Sequence, residues 1–203
     1  MMKPAHAGIV GALLPLLLAA PPLQRALEAS MTAQMLVQIP LLAVAGALLG
    51  KSVSERMTSR IEPWNGAGVT GLIVVTFAIA CWMLPLSLDA AAKSAAADLI
   101  KFLTVPLLIG VPLALSWPRM GFVLRGVLLF EAMATLFRMG WLYLISPVRL
   151  CNNYGLSDQQ RLGEWLLMIG TALILWIAWR LLWGSFKTAG AVGPPGLRDG
   201  PYA

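Results

Sequence analysis

Met31, Gln34, Met35 and Gln38 stand at i, i+3, i+4 and i+7, which puts two thioethers and two amides on one helical face. Thioether sulfur is a soft donor suited to Cu(I), and a glutamine carbonyl can only assist it weakly. An ordinary helix–helix contact uses the same residue types, so the spacing alone leaves both readings open. A third sulfur, Cys151, sits in the polar stretch SPVRLCNNYGLSDQQ, residues 146–160. Most of that stretch is turn chemistry. Pro147 ends the preceding helix, Asn-Asn-Tyr-Gly suits a turn, and Ser157 with Gln160 has capping-box spacing for the next helix, aided by Asp158. None of this requires Cys151. Met31, Met35 and Cys151 are therefore the candidate metal ligands.

Other chemistry is limited by what the chain contains. His6 is the single histidine, which excludes bis-histidine haem ligation and an HExxH zinc site within the chain. No CxxC, phosphate-binding loop or paired catalytic carboxylate motif is present, and GAGVTG at 66–71 follows no strand. The chain is read as not an enzyme. Glu131 and Arg138, seven residues apart in one apolar run, share a helical face and are expected to form a structural charge pair. Asp98 with Lys101 and Asp89 with Lys93 read as local pairs near helix ends. A Cys81–Cys151 disulfide is disfavoured. Cys81 should lie roughly 12 Å deeper than a loop residue, whereas bridged Cα atoms lie within about 7 Å.

The elements that must carry these residues follow from composition. Of 203 residues, 59% are hydrophobic and 12% charged, about half the charge of a soluble domain. Apolar runs near 8–23, 31–50, 67–88, 98–117, 120–145 and 160–184 predict an all-α polytopic transmembrane bundle of about six spans. Residues 1–184 form that bundle, and the Gly/Pro-rich 185–203 is expected to be a flexible cytoplasmic tail. The first run has signal-peptide features, but Pro21 and Pro22 crowd any cleavage point, which favours an uncleaved helix.

Six spans put Lys3, Lys51, Arg56, Arg60, Arg119, Arg125, Arg180, Lys187 and Arg198 on one side, against Arg25, Lys93, Lys101, Arg149 and Arg161 on the other. The richer side is expected to be cytoplasmic, with both termini. The net charge of +6 then reflects topology and contact with membrane lipids, and no nucleic-acid partner is indicated. Pro40, Pro85, Pro106 and Pro112 are expected to bend spans, and Gly46 with Gly50 to let two helix backbones approach. QIPLLAVAGALL and TVPLLIGVPLAL resemble one another and would run in the same direction. Pro-Leu-Leu is common enough in membrane helices that this alone does not make a repeat.

The stretch SMTAQMLVQIPLLAVAG resembles the corresponding helix of the CtaG family of cytochrome oxidase assembly factors. Met31 matches that family's methionine and Pro40-Leu41-Leu42 its later Pro-Leu-Leu, while Ser30 and Gln34 stand where the family has histidines. The resemblance covers one helix. It implies an accessory or assembly protein of a respiratory haem–copper oxidase in a bacterial inner membrane, with oxidase subunits as partners and copper as the cofactor handled at the outer face. Two alternatives stand beside it: a non-catalytic membrane bundle that binds partners, and a small transporter.

Overall fold

Prolines decide where the helices break. In the structure, a computed structural model that describes residues 4–151 and 153–183, α1 (Pro4–Leu18) stops just before Pro21 and α2 (Pro21–Glu28) starts on it. Proline is well placed at a first helical position, where its missing N–H has no bond to make. The two helices meet at 71°. The Ser30 hydroxyl then accepts the Ala33 N–H at 3.1 Å and starts α3 (Met31–Ser52). A short α4 (Glu55–Ile61) leads through a tight turn into α5 (Val69–Met83), with an 86° bend between them. Gly68 caps α5 with φ 76°, so GAGVTG forms a turn and a helix start, with Gly71 buried inside α5 against Ser116. Pro85 opens α6 (Pro85–Lys93), and α7 (Ala95–Ser116) follows Ser94. Pro85 therefore lies at a helix start and does not bend a span. A hairpin of α8 (Phe122–Ile145) and α9 (Leu156–Trp183) completes the described chain. The predicted tail at 185–203 lies outside the described residues.

Every regular element among the described residues is helical. By length and apolarity α3, α7 and α9 can cross a membrane, and counting each bent pair as one span raises the number from 3 to 5. Helix α8 has 24 residues, about 36 Å at 1.5 Å per residue, but it carries Arg125, Glu131 and Arg138. The expectation of a transmembrane helical bundle thus holds in a coarser form, with three to five apolar crossings.

Six of the first seven helices follow one plan twice, with α4 between the two sets. An apolar helix, a short helix opened by proline, and a long helix preceded by serine occur as α1–α2–α3 and again as α5–α6–α7. Each long helix widens into a π turn near its Pro-Leu-Leu, at Gln34–Gln38 and at Val105–Gly110. A π turn admits one extra residue, a common way to absorb a local disruption of the hydrogen-bond ladder. Helices α3 and α7 then cross where neither has a side chain. A Cβ on Gly46 would meet the Pro106 backbone, and one on Gly110 the backbones of Ala43 and Gly46. Gly50 faces Val111 and Ala114 of the same α7, so the expected Gly46/Gly50 contact is made. The two matching sequence segments are thus the paired central helices.

The α8–α9 hairpin is attached differently. Its buried residues are Gly140 and Tyr143 in α8, and Gln159, Leu162, Gly163, Leu166 and Gly170 in α9. All lie toward the 146–155 connection, where α9 touches the first turn of α3. The end of the bundle holding that connection, α2 and α6 is called the loop end below. The opposite end, with Arg56, Arg60, Arg119 and Arg125, is the arginine end.

Candidate functional site

The most concentrated chemistry lies at the loop end, where the two three-helix units meet. Lys101 on α7 is fully buried, at 0% exposure. Its Nζ lies 2.8 Å from Glu28 Oε1, 2.7 Å from Asp98 Oδ1 and 3.0 Å from Gln38 Oε1. An ammonium has three donors, and each has a partner here. Gln38 Nε2 donates to Glu28 Oε1 at 3.2 Å, and Gln24 Nε2 donates to Asp98 Oδ2 at 2.6 Å. The ties are reciprocal: Lys101 of the second unit holds Glu28 and Gln38 of the first, while Gln24 of the first holds Asp98 of the second. Two carboxylates face one ammonium, leaving a formal excess of one negative charge in the cluster. A cleft of about 660 Å³ reaches Gln24, Glu28 and Asp98, with Lys93 and Ser94 also on its wall and Leu16, Leu99 and Leu103 among its apolar lining.

The polar 146–160 stretch locks onto this region. Tyr154 places its hydroxyl 3.0 Å from the Glu28 carbonyl and 2.8 Å from Gln34 Oε1. Burial, then the nearby Glu28 carboxylate, push its phenol up to about 12. Asp89 accepts the Asn153 N–H at 3.1 Å while pairing with Lys93 at 2.7 Å. The helix start departs from expectation. Helix α9 begins at Leu156, with Ser157 and Gln160 exposed, so the capping box does not form. Gln159 does the connecting: its carbonyl accepts the Leu150 N–H at 2.9 Å and its amide donates to the Tyr143 carbonyl at 3.3 Å.

Met31, Met35 and Cys151 all belong to the same buried apolar cluster. Met35 Sδ is 4.0 Å from the Tyr143 hydroxyl, and the Cys151 thiol donates to the Pro85 carbonyl at 3.6 Å. Burial, reinforced by Asp89, pushes that thiol up to about 11. Cys81 and Cys151 are both unbridged. Among the described residues, no three His, Cys, Asp or Glu side chains group into a metal-sized cluster. A methionine-based set falls outside that description, because thioethers are not among those residue types.

Glu131 and Arg138 do pair, through Oε1 and Nη2. They do not turn into the bundle as intramembrane charges ordinarily do: their side chains are 46% and 64% exposed. The expected local pairs Asp98–Lys101 and Asp89–Lys93 are present. Glu28 and Gln24 are the members that sequence reasoning missed. Their only signal was a carboxylate and an amide four residues apart in a short amphipathic helix.

Compared with known protein families, curated proteins and solved structures, the chain matches none.

Proposed function

We propose that this chain is an integral-membrane accessory or assembly protein, not an enzyme, that engages a larger membrane complex along α8 and α9. The observation that carries this reading is the outward-facing Glu131–Arg138 pair on a helix of spanning length. Charges at bilayer depth are costly unless covered by protein or water, and a partner helix packed on α8 would cover these. Helix α9 supports it, since 11% of its apolar window is buried, against 44% for α3 and 39% for α7. With its two charges neutralised by each other, α8 serves as a sixth crossing. The basic residues favour a cytoplasmic arginine end and an outer loop end.

The resemblance of α3 to the oxidase assembly factors names the partner, a respiratory haem–copper oxidase of a bacterial inner membrane. In this reading Met31 and Met35 hold Cu(I) near the outer face, with Cys151 joining once its thiol proton is displaced. Affinity purification from native membranes in mild detergent tests it. Oxidase subunits should accompany the wild-type chain and fall at least severalfold with Glu131→Gln/Arg138→Gln. Anaerobic Cu(I) competition with a chelator should weaken in Met31→Leu/Met35→Leu, a swap that roughly conserves volume, and in Cys151→Ser. Absence of oxidase subunits from the wild-type preparation would sink the partner. Equal copper binding by all variants would sink the copper site.

The Lys101 network favours a second reading, a small transporter, because related units in transporters often meet at an ion or substrate site. Ion or solute flux in liposomes that is lost in Lys101→Met and retained in Glu131→Gln/Arg138→Gln would select it.

A further inference from the structure

The cleft beside Lys101 is the counterpart of a face that the other three-helix unit covers with the chain itself. Pro21 and Pro85, Ser30 and Ser94, and Gly46 and Gly110 are pairs with the same separation along the sequence, and Gly110 packs on Gly46. Ser30 and Ser94, which precede α3 and α7, share an extended backbone with φ −132° and −131°. By that spacing Gln34 corresponds to Asp98, Met35 to Leu99 and Glu28 to Ala92. On the first unit the hairpin covers this face. Tyr154 bonds to Gln34 and to the Glu28 carbonyl, and Met35 is 4% exposed. On the second unit Asp98, Leu99 and Ala92 line the cleft instead, and Leu99 is 60% exposed.

The lining has the polarity of an amphiphile. Along α7 the wall changes from Ser94 and Asp98 to Leu99, Phe102 and Leu103 over about 13 Å at 1.5 Å per residue. The Lys101, Gln38 and Gln24 nitrogens that reach Glu28 all end on Oε1, at 2.8, 3.2 and 3.5 Å, so Oε2 keeps its capacity to accept. Lys93 on the same wall is balanced by Asp89 at 2.7 Å, so the cluster of Glu28, Asp98 and Lys101 retains its excess negative charge. A cationic N–H donor answers both the charge and the open carboxylate oxygen. An alkyl chain alone answers neither. Lys93 is half exposed, and its ammonium has further donors for an anion carried beside that cation.

We propose that this cleft binds a primary-amine phospholipid, phosphatidylethanolamine, at the place where the hairpin stands on the other unit. The lipid ammonium donates to Glu28 and Asp98, its phosphate meets Lys93, and an acyl chain lies along Leu99 and Leu103. A quaternary ammonium has no N–H to donate, and an anionic headgroup is repelled by the excess charge, so the site discriminates among lipids. It requires neither copper, nor the oxidase, nor transport, and so stands or falls separately from the proposed function.

The test uses the full chain in neutral detergent, with phosphatidylethanolamine, phosphatidylcholine or phosphatidylglycerol of identical acyl chains added. Native mass spectrometry and thermal unfolding read the result. Phosphatidylethanolamine should be retained roughly tenfold better than either of the others and should raise the melting temperature. Glu28→Gln/Asp98→Asn, which keeps the side-chain shapes and removes the excess charge, should abolish that preference. Glu164→Gln, at an exposed position on α9, should leave it intact. Equal retention of the three lipids by the wild-type chain, or a preference for phosphatidylglycerol, overturns the proposal. Undiminished preference in a folded Glu28→Gln/Asp98→Asn variant also overturns it. If that variant does not fold, Leu99→Trp narrows the apolar part of the cleft from its exposed side and should weaken retention severalfold, and unchanged retention overturns the site. Free ethanolamine that displaces the lipid and reproduces its full stabilisation would assign the cleft to a soluble amine and overturn the lipid.

Discussion

Lys101 is the residue on which the loop end depends. Its charge is fully buried and satisfied by Glu28, Asp98 and Gln38. Lys101→Met would keep much of the side-chain bulk and leave two carboxylates facing each other. Breaking a buried ion pair from one side costs about 3–5 kcal/mol, so this variant should unfold at a markedly lower temperature. Arg149→Met, at an exposed loop residue, should change little, and equal melting of the two variants would refute a structural role for the network. The sequence made only half of this network legible. Asp98 and Lys101 are three apart on one helix, but Glu28 reaches Lys101 from 73 residues away, and only tertiary structure brings them together. Cys151 gives a second residue-scale test. Its thiol, 1% exposed, is pushed up to about 11, so the folded chain holds that proton more tightly than the unfolded chain does. The associated stability is fully present below the unfolded thiol's pKa and is lost as pH rises through about 11. In a Cys81→Ala background, iodoacetamide should modify Cys151 slowly at neutral pH and quickly after denaturation. Rapid modification of the folded chain would contradict the burial.

At the level of elements, α3 and α7 cross with their backbones in direct contact. A methyl group on Gly46 or Gly110 would strike the facing backbone, which cannot rotate away as a side chain can. Gly46→Ala and Gly110→Ala should each cost about 1–3 kcal/mol or more. Gly126→Ala in α8, where a Cβ meets nothing within 4 Å, should be neutral or slightly stabilising. Thermal unfolding of the three variants in one detergent checks this, and similar losses for all of them would mean that the crossing is not tight. The apolar runs and the glycine pair were readable because hydrophobicity and small residues act locally. The two bends and the short helices α2 and α6 were less so, because a proline can kink a helix or open one. Pro40 and Pro106 sit within continuous helices, whereas Pro21 and Pro85 begin new ones. The capping box failed for a similar reason: Ser157 and Gln160 have the spacing, but the chain enters the helix one residue before Ser157 and uses Gln159 to hold the turn.

The molecule as a whole is two like three-helix units joined at their long helices, with a hairpin fastened at one end. The loop end fastens it through Tyr154, Gln159 and Asn153, and toward the arginine end α8 and α9 bury little beyond each other. Where they cross, Gly140 and Gly163 let the backbones touch, so the hairpin can keep its own form while standing apart from the two units. Its outer surface includes Val127, four residues before Glu131 on α8, at 53% exposure and Trp176 on α9 at 59%. If this face docks a membrane partner, spin labels at those two positions should be accessible to lipid-dissolved oxygen in nanodiscs of the chain alone. Addition of the oxidase should screen both labels, while a label at Phe77, exposed on α5 at 73%, should stay accessible. A burial that selective would follow from helix packing along α8 and α9 and from nothing else in the bundle. Labels at 127 and 176 that remain accessible while the oxidase is bound would move the contact to the loop end.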